Sequence, residues 1–284
     1  PYGHNWEDWG RMDALEVLAL ARQRLNIDTS RIYLTGHSMG GHGTWHLGAT
    51  FPDHFAAIGP SAGWISFWSY GVRDTSGTGD PAQQLLRRAS TPSNTFALAG
   101  NYQQHGVYII HGSKDDNVRV DQSHRMAERL KDFHHDWYFH EQPEAGHWWD
   151  LSDAPGADCV DWMPLFDFFA RHTRPGAERM RMIDFSTANP GISARSGWLT
   201  IVDQETPLAV SHARIEFNPA THHFRGSTEN IARLAMRTPA GAHADAYQVE
   251  LDSQKVELEG AATLWLEKRD GSWQAGAVLR PADK

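Results

Sequence analysis

The sequence predicts an α/β fold, in which helices cover both faces of a parallel sheet in three layers, followed by a smaller all-β domain. Strand-length apolar runs alternate with helical patterns up to a helix predicted over 161–172. A G-x-S-x-G pattern stands where one of these strands turns into a helix. From about residue 180, short alternating segments separated by turn signals replace that order and indicate a β-sandwich-like module.

The strand predicted over 31–35 leads directly into Gly36, Ser38 and Gly40, and the small residues of 41–49 permit a helix to leave the turn. A strand, G-x-S-x-G and a helix in this order are typical of a nucleophile elbow. So sharp a turn strains the serine backbone and needs small residues two positions away, and the helix N-terminus favours developing negative charge. The pattern therefore predicts Ser38 as a nucleophile. A Gly-rich turn at the end of a buried strand is the alternative.

Two later strand ends offer an acid and a base for this serine. Asp115 follows a buried strand predicted over 106–110, and open α/β sheets keep their sites beyond the C-terminal ends of strands. His147 lies in the loop after a strand predicted over 136–140. The chain order Ser38, Asp115, His147, each on the loop after its own strand, is much more specific than any one motif.

Four segments taken together resemble the catalytic domain of the prolyl oligopeptidase family. These segments are 35–41, 51–57, 111–118 and 145–147. The resemblance covers roughly 1–173 and extends to esterases that share this α/β-hydrolase fold, feruloyl-esterase-like enzymes included. In the H-G-x-x-D-x-x-V pattern of the family the first aspartate is the catalytic acid, which implies Asp115. Asp116 is the alternative acid, unless it caps the next helix or binds backbone amides.

The resemblance implies a serine hydrolase that cleaves an ester or a peptide amide and needs no cofactor. Ser38 would attack the carbonyl, His147 would carry the proton, Asp115 would orient the imidazole, and the backbone N–H of Met39 would bind the oxyanion. An ester is the expected substrate, because the blade repeats of a peptide-gating β-propeller are absent from this sequence. A prolyl oligopeptidase-like peptidase is one alternative, and an inactive hydrolase remnant that binds carbohydrate or protein is another.

The first strand of the predicted catalytic domain is one that belongs in the middle of its sheet. Such folds take a second oxyanion donor from a loop after an earlier strand, and no such strand precedes 1–6. We therefore expect a partial, N-terminally incomplete domain that lacks its first strands, as an internal piece of a larger protein or as part of a split one. The nucleophile strand would then be an open edge, completed by the missing segment or by another chain.

Aromatic residues near the predicted loops are the candidates for substrate binding. Trp64 and Trp68 follow the next strand along the chain and Trp148 follows the base, although core packing is the alternative for each.

His42 and His46, spaced i, i+4, are candidates for a metal site. No H-E-x-x-H pattern is present, however, and no carboxylate or cysteine stands beside them at ligand spacing. We therefore expect no metal.

Composition suits a two-domain enzyme, with 284 residues of which 40% are hydrophobic. We expect a catalytic domain over 1–175 with a lid insertion over 71–101, a linker over 176–195 and a β-domain over 196–284.

The net charge of −9 disfavours nucleic acid and anionic membranes as partners, and no apolar run is long enough to span a bilayer. The single Cys159 excludes an internal disulfide. Export of the parent protein is implied by the family resemblance alone.

Overall fold

The chain divides into two compact units, Pro1–Arg174 and Pro175–Lys284, in a computed structural model. The structure describes residues 5–70, 80–153, 155–238 and 244–277.

The first unit is built on a four-stranded parallel sheet with the order β1-β2-β3-β4. Its strands are β1 (Tyr33–His37), β2 (Ala57–Ser61), β3 (Gly106–Gly112) and β4 (Trp137–Gln142). Its helices are α1 (Asp8–Arg24), α2 (Met39–Thr50), α3 (Phe67–Tyr70), α4 (Pro81–Ala89), α5 (Asp121–Lys131), α6 (Asp158–Asp161) and α7 (Met163–Ala170). The α/β class predicted from the sequence is confirmed.

Helices cover the two faces of this sheet at its centre. Every residue of β2 and β3 is buried, as expected of parallel strands with both faces covered. In β2, Ile58 packs against Gly48 of α2, and the next residue, Gly59, lies against Leu165 of α7. Because successive strand residues point to opposite faces, α2 and α7 lie on opposite sides of the sheet.

The second unit contains two five-stranded sheets, of order β14-β13-β10-β7-β6 and β12-β11-β9-β8-β5. The strands are β5 (Met182–Thr187), β6 (Arg195–Ser196), β7 (Leu199–Gln204), β8 (Ser211–Asn218), β9 (His223–Glu229), β10 (Ile231–Arg237), β11 (Ala246–Leu251), β12 (Gln254–Glu259), β13 (Thr263–Arg269) and β14 (Ser272–Ala275). Ile201 and Leu234 from the first sheet share one buried core with Ile215 and Phe224 from the second. The unit is therefore the predicted β-sandwich-like domain.

One strand pair of the second unit departs from the antiparallel order expected of the module, because β9 and β11 are parallel. Between them in the chain comes β10, which belongs to the other sheet. A hairpin can join only antiparallel neighbours, whereas a chain that crosses to the opposite sheet can return in the same direction.

The prediction of a linker over 176–195 is wrong, because β5 lies within this range. This strand pairs with β8, and its alternate residues Ile183 and Phe185 are buried in the core of the second unit. Ile183 and Phe185 alternate with Asp184 and Ser186, which is the period-2 pattern of a half-buried strand, so the segment carries a strand signal in its sequence. The Arg-Pro-Gly break at 174–176 therefore ends the first unit without beginning a long linker.

The expected lid insertion lies only partly within the described residues, since 71–79 fall outside them. Its predicted helical piece is α4, which begins at Pro81 after Asp80. The Asp80 carboxylate caps the helix by accepting a hydrogen bond from the Gln83 N–H at 2.9 Å.

None of the helices in the described part of the chain is both long and apolar enough to cross a membrane.

Replacing Phe185 by alanine should lower the free energy of unfolding by about 3–5 kcal/mol, because a fully buried ring leaves a cavity. Met182→Ala is the matched control on the same strand, where the side chain is 46% exposed, and should cost less than about 1 kcal/mol. Urea denaturation of the full chain and amide hydrogen exchange in β5 measure both effects. Equally small effects would contradict the placement of β5 in the core.

Candidate active site

Ser38 occupies a strained turn between the end of β1 and the first residue of α2. Its backbone has φ 59° and ψ −116°, a region that costs a non-glycine residue about 1–3 kcal/mol. A Cβ on Gly36 would lie 2.5 Å from the Gly40 carbonyl oxygen, whereas a Cβ on Gly40 would meet nothing within 4 Å. Close approach of the chain therefore requires glycine at the first of the two motif positions.

A further glycine lets α2 approach the sheet closely behind this turn. A Cβ on Gly41 would lie 2.2 Å from the Ser61 carbonyl oxygen, so α2 contacts the backbone at the end of β2. The Ser38 N–H donates to the same carbonyl at 2.9 Å and is therefore already used. Met39, the first residue of α2, places the positive end of the helix dipole beside the serine.

The structure brings Ser38, His147 and Asp115 together in one chain of hydrogen bonds. The Nδ1–H of His147 donates to Oδ2 of Asp115 at 2.7 Å, because an ionised carboxylate can only accept. This tautomer leaves Nε2 as an acceptor for the Ser38 hydroxyl, 2.9 Å away. A serine that can pass its proton to an oriented imidazole is equipped for nucleophilic attack on a carbonyl carbon.

Asp115 is held by four hydrogen-bond donors. Besides His147, Oδ2 lies 3.2 Å from Nε2 of His111, and Oδ1 accepts from the backbone N–H groups of Asn117 and Val118 at 3.0 and 2.9 Å. Burial acts to raise the pKa of Asp115, but these hydrogen bonds outweigh it and lower that pKa to about 2. The carboxylate is therefore ionised at neutral pH. Asp116, the alternative acid, is exposed.

His111 is a site residue to which the sequence alone assigned no role. Its Nε2–H donates to the Val118 carbonyl at 2.7 Å and also faces Asp115, so Nδ1 accepts from the Ser123 hydroxyl at 2.7 Å. The ring is fully buried and thus positions both Asp115 and the turn that follows it. Its place at the head of the H-G-x-x-D pattern was the available signal.

The loops that carry Asp115 and His147 are bonded to each other. The backbone N–H groups of Ser113 and Lys114 donate to the carbonyls of Gln142 and Ala145 at 2.9 and 2.8 Å. The Glu144 N–H donates to the Ser113 hydroxyl at 2.8 Å, and the side chains of Lys114 and Glu144 form an ion pair. Because of these contacts, the separation of Asp115 and His147 does not depend on the hydrogen bond between these two residues alone.

The three tryptophans proposed for substrate binding lie in different environments. Trp64 is only 5% exposed and stacks on His42 and Tyr70, with ring centroids 4.8 and 4.4 Å apart. It therefore packs in the interior, as the core-packing alternative for this residue has it. Trp68 is half-buried, and its indole N–H donates to the Ser90 hydroxyl. Trp148 is 66% exposed and lies directly beside His147.

His42 and His46 lie on the buried face of α2 and face a carboxylate distant in sequence. Oε1 of Glu7 is 3.5 Å from Nε2 of His42 and 3.5 Å from Nδ1 of His46. Its other oxygen accepts a hydrogen bond from the Ser93 hydroxyl at 2.8 Å. Over the described ranges, no group of three His, Cys, Asp or Glu side chains is arranged to hold a metal ion.

Comparison with known proteins identifies one family and several relatives. The sequence profile of the prolyl oligopeptidase family matches residues 2–174. An uncharacterized secreted protein from Arthroderma benhamiae is 27% identical over 292 residues, which cover 96% of this chain and 30% of that protein. The uncharacterized peptidase YtmA from Bacillus subtilis is 30% identical over 149 residues, which cover 45% of this chain and 53% of YtmA.

Among solved structures, that of a thermostable esterase has 20% sequence identity and a TM-score of 0.40, and the similarity covers 59% of this chain and 38% of that one. This chain spans 30% of the length of the Arthroderma relative and 53% of the length of YtmA.

Asp115→Asn should slow the reaction of Ser38 with a fluorophosphonate probe about a thousandfold or more, because an amide that donates to Nδ1 stabilises the wrong imidazole tautomer. Asp116→Asn is the matched control and should change the labelling rate less than about twofold, since a neighbouring exposed residue adds little. The measurement is the second-order rate constant of labelling. A large loss with Asp116→Asn and none with Asp115→Asn would exchange the two assignments.

Proposed function

This chain belongs to the prolyl oligopeptidase family of α/β-hydrolases, and we propose that it is a serine hydrolase that cleaves a carboxylic ester. The observation that carries the proposal is the continuous hydrogen-bond chain from the Ser38 hydroxyl through His147 to Asp115, with separations of 2.9 and 2.7 Å. These are the lengths that general-base activation of a serine needs.

In the proposed mechanism Ser38 Oγ attacks the carbonyl carbon while Nε2 of His147 takes the hydroxyl proton. The resulting oxyanion is stabilised by the backbone N–H of Met39 at the start of α2. When the tetrahedral intermediate collapses, His147 gives its proton to the leaving oxygen, and the acyl group remains on Ser38. Water then attacks the acyl-enzyme with His147 again as the base, which releases the acid and restores the serine.

Asp115 supports these steps without changing its own protonation state. Its low pKa keeps the carboxylate charged, so it stabilises the positive charge that His147 acquires in each half of the reaction.

A peptide amide is the second candidate substrate, favoured by membership of a peptidase family and by similarity to the uncharacterized peptidase YtmA. The same proton transfers would apply, with an amine as the leaving group.

A binding module derived from an inactive hydrolase is the alternative from another class. The assembled hydrogen-bond chain at Ser38 favours an enzyme over this alternative. Among the described residues of the second unit, Met182 is the one large hydrophobic side chain found exposed.

Trp148 is the residue proposed to contact the substrate. Of the three candidate tryptophans it alone is mostly exposed, and its ring centroid lies 6.0 Å from that of His147. An exposed indole beside the base offers an apolar surface for the acyl or leaving group of an ester. Trp68 stays a weaker candidate because its half-buried indole already donates to Ser90.

We also propose that a further β-strand covers the free edge of β1, from another segment of polypeptide or another chain. In the described sheet β1 pairs with β2 alone, and unpaired strand edges invite strand addition. Nearby in the chain, α1 leaves Trp9, Met12 and Val17 more than half exposed. Amide hydrogen exchange in β1 should be slower in protein purified from its natural source than in residues 1–284 alone. Equal exchange would contradict the proposal.

The activity is tested with a fluorophosphonate probe followed by peptide mapping, and with an aryl acetate beside a peptide anilide. We expect labelling of Ser38, turnover of the aryl ester and much slower turnover of the anilide. Ser38→Ala should abolish labelling and turnover, whereas the control Ser152→Ala, at an exposed serine, should change neither. Labelling that persists in Ser38→Ala would remove Ser38 from the mechanism, and faster turnover of the anilide would favour a peptidase.

A further inference from the structure

We infer that His37, the residue before the nucleophile, is a positioning residue that holds the ring of His147 in its working orientation. This inference rests on the proposed function and adds to it a residue that neither accepts a proton nor contacts the reacting atoms. The ring centroids of His37 and His147 are 4.7 Å apart, at an interplanar angle of 47°.

The two hydrogen bonds of His147 do not by themselves fix its ring plane. One bond runs from Nδ1 to Asp115 and the other joins Nε2 to the Ser38 hydroxyl. Both act near the line through the two ring nitrogens, so the ring can still tilt about that line. Such a tilt leaves Nε2 in place but turns its N–H bond out of line with the leaving group, to which it must deliver the proton. Contact with a second ring resists this tilt.

His37 is itself anchored to the sheet. It pairs in register with Ser61 at the end of β2. The Ser61 hydroxyl donates to the Cys159 carbonyl at 2.6 Å, so its oxygen is free to accept the Nδ1–H of His37 at 3.0 Å. Ser61 is 2% exposed and Cys159 is fully buried. The ring that contacts His147 is thus fixed by a chain of hydrogen bonds that ends in the protein interior.

The anchored ring is neutral. Burial is the main cause that lowers the pKa of His37 to about 4, and the nearby His147 ring lowers it further, while Asp115 raises it and His111 lowers it. The Nε2 atom of His37 is buried and has no hydrogen-bond partner among the described residues. An uncharged imidazole can therefore stay beside His147 without repelling the positive charge that His147 gains when it takes the serine proton.

Trp148 belongs to the same group of rings. Its ring centroid is 4.3 Å from that of His37 at an angle of 47°, so His37 contacts both the base and the exposed indole proposed to meet the substrate. A substrate group resting on Trp148 would therefore press on a cluster that is fixed through Ser61. The sequence suggested only that His37 packs near the site, and its place beside the base emerges from the fold.

Two substitutions separate the ring contact from the hydrogen bond. His37→Ala removes both, whereas His37→Phe keeps an aromatic ring of similar size and loses only the bond to Ser61. Expressed per active site titrated with the fluorophosphonate, kcat for an aryl acetate should fall about 10- to 100-fold in His37→Ala, since small misplacements of a catalytic group cost this much. KM should stay within about twofold, and His37→Phe should recover most of kcat. The control His124→Ala changes a half-exposed histidine that pairs with Glu141 and should leave kcat unchanged.

A spectroscopic measurement tests the inference independently of turnover. The Nδ1 proton of His147, bonded to Asp115, should give a downfield NMR signal that persists in His37→Phe and broadens through exchange with water in His37→Ala. The inference is overturned if this signal and the per-site kcat are unchanged in His37→Ala, or if His37→Phe loses as much as His37→Ala. If the wild-type chain gives the signal but cleaves no ester, the proposed function fails while the NMR comparison still decides the role of His37.

Discussion

The left-handed backbone of Ser38 is the constraint on which the arrangement of the first unit depends. Its φ of 59° bends the chain from β1 straight into α2, so that the hydroxyl and the start of the helix share one point in space. The bend is possible because Gly36 approaches the Gly40 carbonyl and Gly41 approaches the Ser61 carbonyl. The strain at Ser38 is offset by the burial of α2, which follows it, and of the neighbouring strand β2.

Around this turn, hydrogen bonds and burial give each polar side chain a single protonation state. Asp115 accepts four hydrogen bonds and stays charged, His147 donates to it and so exposes an acceptor to Ser38, and His37 stays neutral beside both. A carboxylate that accepts so many hydrogen bonds from the protein has little freedom to rotate or to take up a proton. The hydrogen bonds between the loops of Asp115 and His147 extend the same rigidity to the backbone.

Much of this site follows from local sequence patterns. The glycines around Ser38, the strand before it and the order Ser38, Asp115, His147 along the chain are properties of short segments, and the topology of a parallel sheet brings the ends of such segments to one edge. The second unit was predicted as all-β by the same logic. Its strand β5 has the same alternation of apolar and polar residues, but the prediction of a linker after the Arg-Pro-Gly break passed over it.

The sequence by itself determined the fold class, the elbow at Ser38 and the residues able to serve as acid and base, because periodicity and turn chemistry act over a few residues. Only the tertiary structure placed Asp115, and not its neighbour Asp116, against His147, brought His111 to Asp115 and His37 to His147, and buried Trp64 while leaving Trp148 exposed. Each of these outcomes depends on contacts between segments far apart in the chain. Such contacts exist only once the sheet has brought its strand ends together and the helices have packed on its faces.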